Sequence, residues 1–249
     1  MLTSAALQLI AMLTMAIDHV GLYLVDNNEP MRAIGRIAFP LYAFMIAEGF
    51  RHTRSRRKYF IRLLILALIS EPLLWVLATV THVGYSDVSN EIIHSGGGWL
   101  LWFISAYPHS VIFTLILGFL GIACANKAEK QPLWYLPIPF LLAAAAVLNL
   151  DYGALGVALV IGFWFVRRHL KLNSTPYRIA LFGLLAVITC LLSLQIHLPT
   201  QLFALLAFIP LALYSGEKGR RLPKYLFYAY YPAHLIVIVL IRMIIYTHF

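Results

Sequence analysis

The sequence predicts an all-α fold, a polytopic transmembrane helix bundle of about nine spans, and three observations carry that reading. Of its 249 residues, 61% are hydrophobic and only 12% charged, with a mean hydropathy of +0.82. Soluble domains run at about 45–50% apolar and about 25% charged. Apolar intervals of bilayer length recur along the whole chain. Lys and Arg are rich in one connection and scarce in the next, the pattern of a chain that crosses a membrane repeatedly.

The first interval, 4–25, has no Lys or Arg through Met1–Gln8 and no small-x-small cleavage site, so it reads as a retained helix and not a leader. The next two are 33–50 and 58–80; Pro72 in the latter removes a backbone hydrogen bond and can bend the helix toward a cavity. Then come 107–126, 132–149 and 153–169, followed by 176–195, 198–215 and 225–247. The aromatic stretch 99–107 leaves the count between eight and ten. The whole of 1–249 reads as one transmembrane domain with no room for a soluble one.

The basic residues fix the orientation. Arg51, Arg54, Arg56, Arg57, Lys58 and Arg62 surround the second connection, and Lys127 and Lys130 the fourth. Arg167, Arg168, Lys171 and Arg178 surround the sixth, and Lys218, Arg220, Arg221 and Lys224 the eighth. These are 16 of the 19 basic residues, and the odd connections hold only Arg32. The positive-inside rule therefore puts the N-terminus in the cytoplasm and the C-terminus outside. This distribution accounts for the net charge of +9 and excludes nucleic acid as the partner; the lipid bilayer is the partner it implies. The longest connection, 81–106, carries Gly96-Gly97-Gly98 followed by Trp99 and Trp102 and reads as an external interfacial anchor, with a lid or re-entrant segment as the alternative. Cys124 and Cys190 are isolated thiols suited to packing, with neither metal-ligand spacing nor a disulfide framework. There is no phosphate-binding loop, no dinucleotide fingerprint and no internal repeat.

The polar residues inside these intervals are the functional clue. Asp18 and His19 are adjacent in the first, where an aspartate costs about 2.5–3.5 kcal/mol at the helix centre on insertion scales. The carboxylate is expected to orient the imidazole or raise its basicity. In the predicted orientation Asp18, His19, Arg36, Glu71, His109, Asp151 and Arg242 fall in the outer half, with mixed signs that suit a compensated cavity. Plainer readings stand beside this one. Arg36 with Asp18 or Glu71 can be a structural ion pair, Glu48 is expected to pair with the basic loop beside it, and Asp151 can cap a turn. Tyr228, Tyr231 and His234 lie at i, i+3 and i+6 and form a rising polar edge on the last helix.

Several short motifs recur in order. Ala11-Met12-Leu13-Thr14-Met15-Ala16-Ile17-Asp18-His19 comes first, then Gly35-Arg36-Ile37-Ala38-Phe39-Pro40, Glu48-Gly49-Phe50 and His52-Thr53-Arg54. Ser70-Glu71, Asp151-Tyr152-Gly153 with Gly156-Val157, and Tyr214-Ser215-Gly216 follow. The last are Phe227-Tyr228 and Tyr231-Pro232-Ala233-His234-Leu235. In this order and spacing, along nearly the whole chain, they resemble the TraX family, membrane proteins named for the conjugal pilin acetylase. The resemblance implies an acyltransferase of the bacterial cytoplasmic membrane that moves acetyl from acetyl-CoA, its co-substrate, to an acceptor amine or hydroxyl. The acceptor it implies is pilin or another exported peptide, a glycan or a small amine.

On that implication His19, paired with Asp18, acts as general base, and Arg36 stabilises the oxyanion. Glu71, Asp151, Tyr152, Tyr231, His234 and Arg242 are then candidates for holding substrate or co-substrate, with Tyr231 and His234 along the pantetheine path. Direct transfer and an acyl-histidine intermediate on His19 both fit. Two other classes fit the same residues: a proton-coupled transporter or flippase with Asp18, His19 and Glu71 as its relay, and a non-catalytic envelope assembly factor.

Overall fold

The computed structural model describes residues 1–81, 109–196, 198–219 and 224–247. The proposed anchor at Gly96–Gly98, Trp99 and Trp102 lies outside them. All the regular structure described is helical, and every sequence interval with described residues contains a helix.

Helix α1 (Ser4–Tyr23) starts where the Thr3 side chain accepts from Ala6 N, and α2 (Glu29–Gly35) where Asn28 caps Met31 N. Between them the chain reverses through Asp26 and Asn27, both with positive φ, which short polar side chains tolerate. The α3 helix (Ala38–His52) continues α2 after a break at Arg36–Ile37, and together the two make one apolar stretch from Glu29 to His52. Next is α4 (Arg56–Thr81), which runs through Pro72 without ending. Ser110 caps α5 (Val111–Ala128). A 3-10 turn over Pro132–Tyr135 leads into α6 (Pro137–Val147), and α7 (Gly153–His169) and α8 (Thr175–Ile196) follow. The interval 198–215 is not one α-helix. Pro199–Ala207 is 3-10, and α9 (Phe208–Ala212) restarts with Pro210 in its first turn, where a missing N–H costs nothing. The last helix is α10 (Lys224–Thr247).

Six helical stretches among the described residues are long and apolar enough to cross a membrane: Ser4–Tyr23, Glu29–His52, Arg56–Ala78, Val111–Ala128, Thr175–Ile196 and Tyr228–Ile245. Pro132–Val147 and Pro199–Ala212 are shorter apolar pieces. The α3 helix is the hub, packed against α1, α5 and α7, while α4 and α10 pack on each other. Its Phe44 meets the edges of Phe163 at 5.6 Å and Tyr214 at 5.4 Å. Phe140, Val147, Ile179, Val187, Leu240 and Ile244 face outward and are exposed. Water would oppose such continuous apolar surface, and hydrocarbon accepts it. The molecule is a helical membrane bundle.

Polar side chains gather at the two ends of the helices. At the end formed by the start of α1 and the ends of α3 and α7, buried Glu48 accepts from Arg167 Nε (2.7 Å) and Nη2 (3.3 Å), Arg51 Nη1 (3.1 Å) and the Tyr214 hydroxyl (3.3 Å). The expected pairing of Glu48 with the adjacent basic segment is present, and Arg167 from α7 completes it. The Tyr214 hydroxyl also meets Ser4 Oγ at 2.9 Å, which ties the start of α1 into the same cluster. The opposite end holds Asp18, Glu71 and Asp151.

Candidate active site

Asp18 and His19 are neighbours in sequence but face different helices. Successive residues of an α-helix point about 100° apart, so i and i+1 do not share a partner. The expected Asp18–His19 pair is therefore absent, and each side chain has its own partner.

Asp18 points at α2. Its Oδ2 accepts from Arg32 Nη1 at 2.8 Å and its Oδ1 from Arg36 Nη2 at 3.0 Å. Arg32 and Arg36 are four residues apart, one helical turn, and so reach one carboxylate together. All three side chains are mostly buried, with 12–18% of their surface exposed. Close approach of the helices makes this possible: a Cβ on Gly35 would lie 2.2 Å from Asp18 Cβ and Oδ1. Gly35→Ala must push Asp18 out of its bracket. The expected cost is about 1–3 kcal/mol, as for other overpacked sites, read as a lower thermal midpoint of the purified protein in detergent. An unchanged midpoint would show that this contact is soft.

Arg36 reaches further. Its Nε donates to the Arg32 carbonyl (3.3 Å), and its Nη1 faces the Tyr152 hydroxyl and Gln201 Oε1, each at 3.5 Å. The last two contacts are at the outer limit of hydrogen bonding, so Nη1 retains donor capacity. Tyr152 sits at the entrance to α7 with φ +62° and stacks on Phe39 at 3.8 Å and 7°. The Thr114 hydroxyl donates to the Asp151 carbonyl. This backbone is held firmly, while the Asp151 carboxylate makes no ion pair with a described residue although Arg36, Asp18 and Arg32 are near enough to act on it electrostatically.

His19 points at α10. Its Nδ1 lies 2.6 Å from His234 Nε2, with the two rings 15° from parallel. The protons on this pair can be assigned from the partners. His234 Nδ1 lies 2.9 Å from the Tyr230 carbonyl, which can only accept, so Nδ1 carries the hydrogen. His234 Nε2 is then the acceptor, His19 Nδ1 donates to it, and His19 Nε2 keeps a lone pair. Edges of Tyr23 (5.8 Å) and Tyr231 (6.3 Å) flank the His19 ring. The Tyr230 hydroxyl donates to the Met12 carbonyl at 2.9 Å, which pins this turn of α10 to α1.

The other predicted residues divide. Tyr152 and Arg36 belong to the Asp18 cluster, and Tyr231 and His234 to the His19 cluster. Glu71 is a bracket between helices: His109 Nδ1 lies 2.7 Å from its Oε1, and Ser110 N donates to its Oε2 at 3.0 Å. It thus holds the start of α5, where a carboxylate is favoured by the helix dipole. Arg242 is eight residues past His234, about 12 Å along α10, and meets neither cluster among the described residues. Sequence reasoning left Arg32, Gln201, Tyr23 and Tyr230 out of the site. Arg32 was legible from its one-turn spacing to Arg36, and Gln201, 1% exposed, as an amide within an apolar interval. Tyr230 acts through its carbonyl, which no residue type announces.

The arrangement offers an imidazole nitrogen with a defined lone pair in one cluster and a guanidinium with donor capacity in the other. A protein-family model described as "TraX protein" matches residues 3–242. A probable fimbrial assembly protein FimC (serogroup H1) of Dichelobacter nodosus is 29% identical over 250 residues, covering 95% of this chain and 94% of that protein. A protein of Rickettsia prowazekii (strain Madrid E), described as uncharacterised, is 28% identical over 168 residues, 67% of this chain and 56% of its own length. No solved structure matches the chain.

Proposed function

The chain belongs to the TraX family, and from that premise we propose that it is a multi-pass acyltransferase of the bacterial cytoplasmic membrane that moves an acetyl group from cytoplasmic acetyl-CoA to an acceptor amine or hydroxyl on the outer side. The name of the Dichelobacter relative points to fimbrial assembly, which makes an exported filament subunit the favoured acceptor. In this reading the whole chain is one transmembrane domain of about nine spans with a cytoplasmic N-terminus. The Asp18–Arg32–Arg36 end is then the outer one, and the Glu48–Arg167 end, with its many basic residues, the inner one.

The observation that carries the proposal is the His19–His234 pair. Its hydrogen-bond pattern leaves His19 Nε2 unprotonated and available. As the acceptor attacks the thioester carbonyl, His19 Nε2 takes its proton. The Arg36 Nη1 donor steadies the oxygen that becomes negative. Collapse of the tetrahedral species expels the CoA thiolate, which takes the proton back from His19. Asp18 does not touch His19 in this scheme; it keeps Arg36 in place. His234 is a positioning residue, holding the imidazole in the useful tautomer. A relay through Asp18, His19 and Glu71 gains no support from the geometry, because each carboxylate is already committed: Asp18 to two arginines, Glu71 to His109 and the Ser110 amide.

The test is to incubate the purified protein in nanodiscs with radiolabelled acetyl-CoA and candidate acceptors, and to follow CoA release and label transfer. Turnover is expected with the wild type. His234→Ala should lose roughly tenfold or more in kcat, whereas His234→Gln, whose amide oxygen can still accept from His19 Nδ1, should recover much of that loss. Equal activity of the two variants would remove the positioning role. A folded wild type that neither binds nor consumes acetyl-CoA with any acceptor would overturn the acyltransferase reading.

A further inference from the structure

Tyr152 stands in a backbone conformation that its side chain disfavours. Its φ of +62° and ψ of −4° are left-handed, a region open to glycine and costly for a bulky residue. The fold nevertheless holds it firmly. The Thr114 hydroxyl donates to the carbonyl just before it, Gly156 N donates to its own carbonyl at 2.8 Å, and its ring lies on Phe39. Room for that ring depends on Gly156, where a Cβ would lie 2.6 Å from Tyr152 Cβ and 3.0 Å from Phe39 Cζ. Strain that the surroundings keep in place points to a use.

Phenylalanine would stack on Phe39 equally well, so the hydroxyl is what a tyrosine adds. It faces Arg36 Nη1 at 3.5 Å, where it can only accept, because a guanidinium has no lone pair to offer. Its own hydrogen goes to no described residue. Gln201, 1% exposed, turns its Oε1 to the same Nη1 at 3.5 Å, and its amide nitrogen bonds no described residue. Donors are therefore in surplus around Nη1, and the Arg36 cation polarises the phenol into a stronger one. One oxygen can lie about 2.8 Å from both Nη1 and the hydroxyl. Such a place suits an oxygen that only accepts.

Charge decides which kind. Asp18 and Asp151 offset Arg32 and Arg36, two charges of each sign, with Asp151 near enough to act on both arginines. A phosphate or carboxylate would bring an uncompensated negative charge, whereas a carbonyl oxygen brings none. Arg36 is also near enough to act electrostatically on His19. Negative charge growing on a carbonyl here is thus matched by the positive charge His19 gains as it takes a proton.

We propose that the Tyr152 hydroxyl is a catalytic donor that, with Arg36 Nη1, holds the oxygen of an uncharged carbonyl as that oxygen turns negative. The proton stays on Tyr152 throughout, and only the hydrogen bond strengthens. This rests on the acyltransferase reading and adds to it a second group that touches the acyl carbonyl.

The test is Tyr152→Phe in nanodiscs, which keeps the ring, the stack and the backbone and removes only the hydroxyl. Its kcat for acetyl transfer is expected to fall about 10²-fold or more, the usual loss for one oxyanion donor, with KM little changed. The thermal midpoint should stay within about 2 °C of wild type, since a contact at the outer limit of hydrogen bonding contributes little. In an Arg36→Gln background the same change should lower the rate again, because the phenol reaches the oxygen itself. A kcat within about twofold of wild type overturns the proposal. So does a rate loss that comes with a lower midpoint, which makes the hydroxyl a structural tie. Silence in the Arg36→Gln background overturns it too, by making Tyr152 a prop for Arg36. In all three cases wild-type turnover leaves the acyltransferase reading standing, whereas a wild type that transfers nothing removes both.

Discussion

His19→Ala is expected to reduce acyl transfer by about 10²–10⁴-fold, the range for removal of a positioned general base. The loss should fall on kcat, with KM for acetyl-CoA little changed, because His19 Nε2 acts on the acceptor's proton and not on the donor's nucleotide. The variant should remain folded, since the substitution deletes one member of a histidine pair without stranding a charge. His234 then keeps its bond to the Tyr230 carbonyl, 2.9 Å away. The double variant His19→Ala/His234→Ala should be no slower than His19→Ala alone, because His234 acts only through His19 and residues that act as a unit are not additive. Steady-state rates on the four proteins, with size-exclusion profiles as the folding control, decide this. Wild-type kcat in His19→Ala would remove His19 from the chemistry. A further drop in the double variant would give His234 a role of its own.

The sequence carried much of the architecture and misled on one contact. Apolar intervals located the helices because bilayer thickness and backbone satisfaction permit little else. Alternating basic connections agree with the way the two polar ends form: Asp18 late in α1 meets Arg36 before α3, while Ser4 at the start of α1 lies with Glu48 at the end of α3. Side-chain pairing was less legible. The adjacent letters Asp18 and His19 suggest a dyad, but helical geometry separates them, and the partner of His19 lies 215 residues away. Only the folded chain shows that α10 delivers His234 to α1. The interval 198–215 failed for a local reason, since hydropathy does not register the proline that makes Ala207 and Phe208 a junction between two helical pieces. Glu71 looks like an intramembrane functional carboxylate, yet its contacts are those of a clamp on the start of α5.

Asp18→Asn is expected to destabilise the bundle by about 3–5 kcal/mol, the range for breaking a buried pair by removing one partner. The change leaves Arg32 and Arg36, 18% and 12% exposed, facing each other without their shared counter-charge. The bundle's thermal midpoint should fall, and transfer should fall with it because Arg36 loses the contact that aims it. A second change separates the two effects. Asp18→Asn/Arg32→Gln restores the wild-type net charge of the cluster and should regain much of the stability, while transfer stays low because Arg36 is still unanchored. If Asp18 instead acted through the basicity of His19, as its adjacency suggests, the single variant would lose activity at wild-type stability. A midpoint unchanged in Asp18→Asn would therefore refute the bracket. Since a non-catalytic scaffold would also lose stability with Asp18, this residue cannot separate an enzyme from an assembly factor. His19, whose loss strands no charge, is the residue that can.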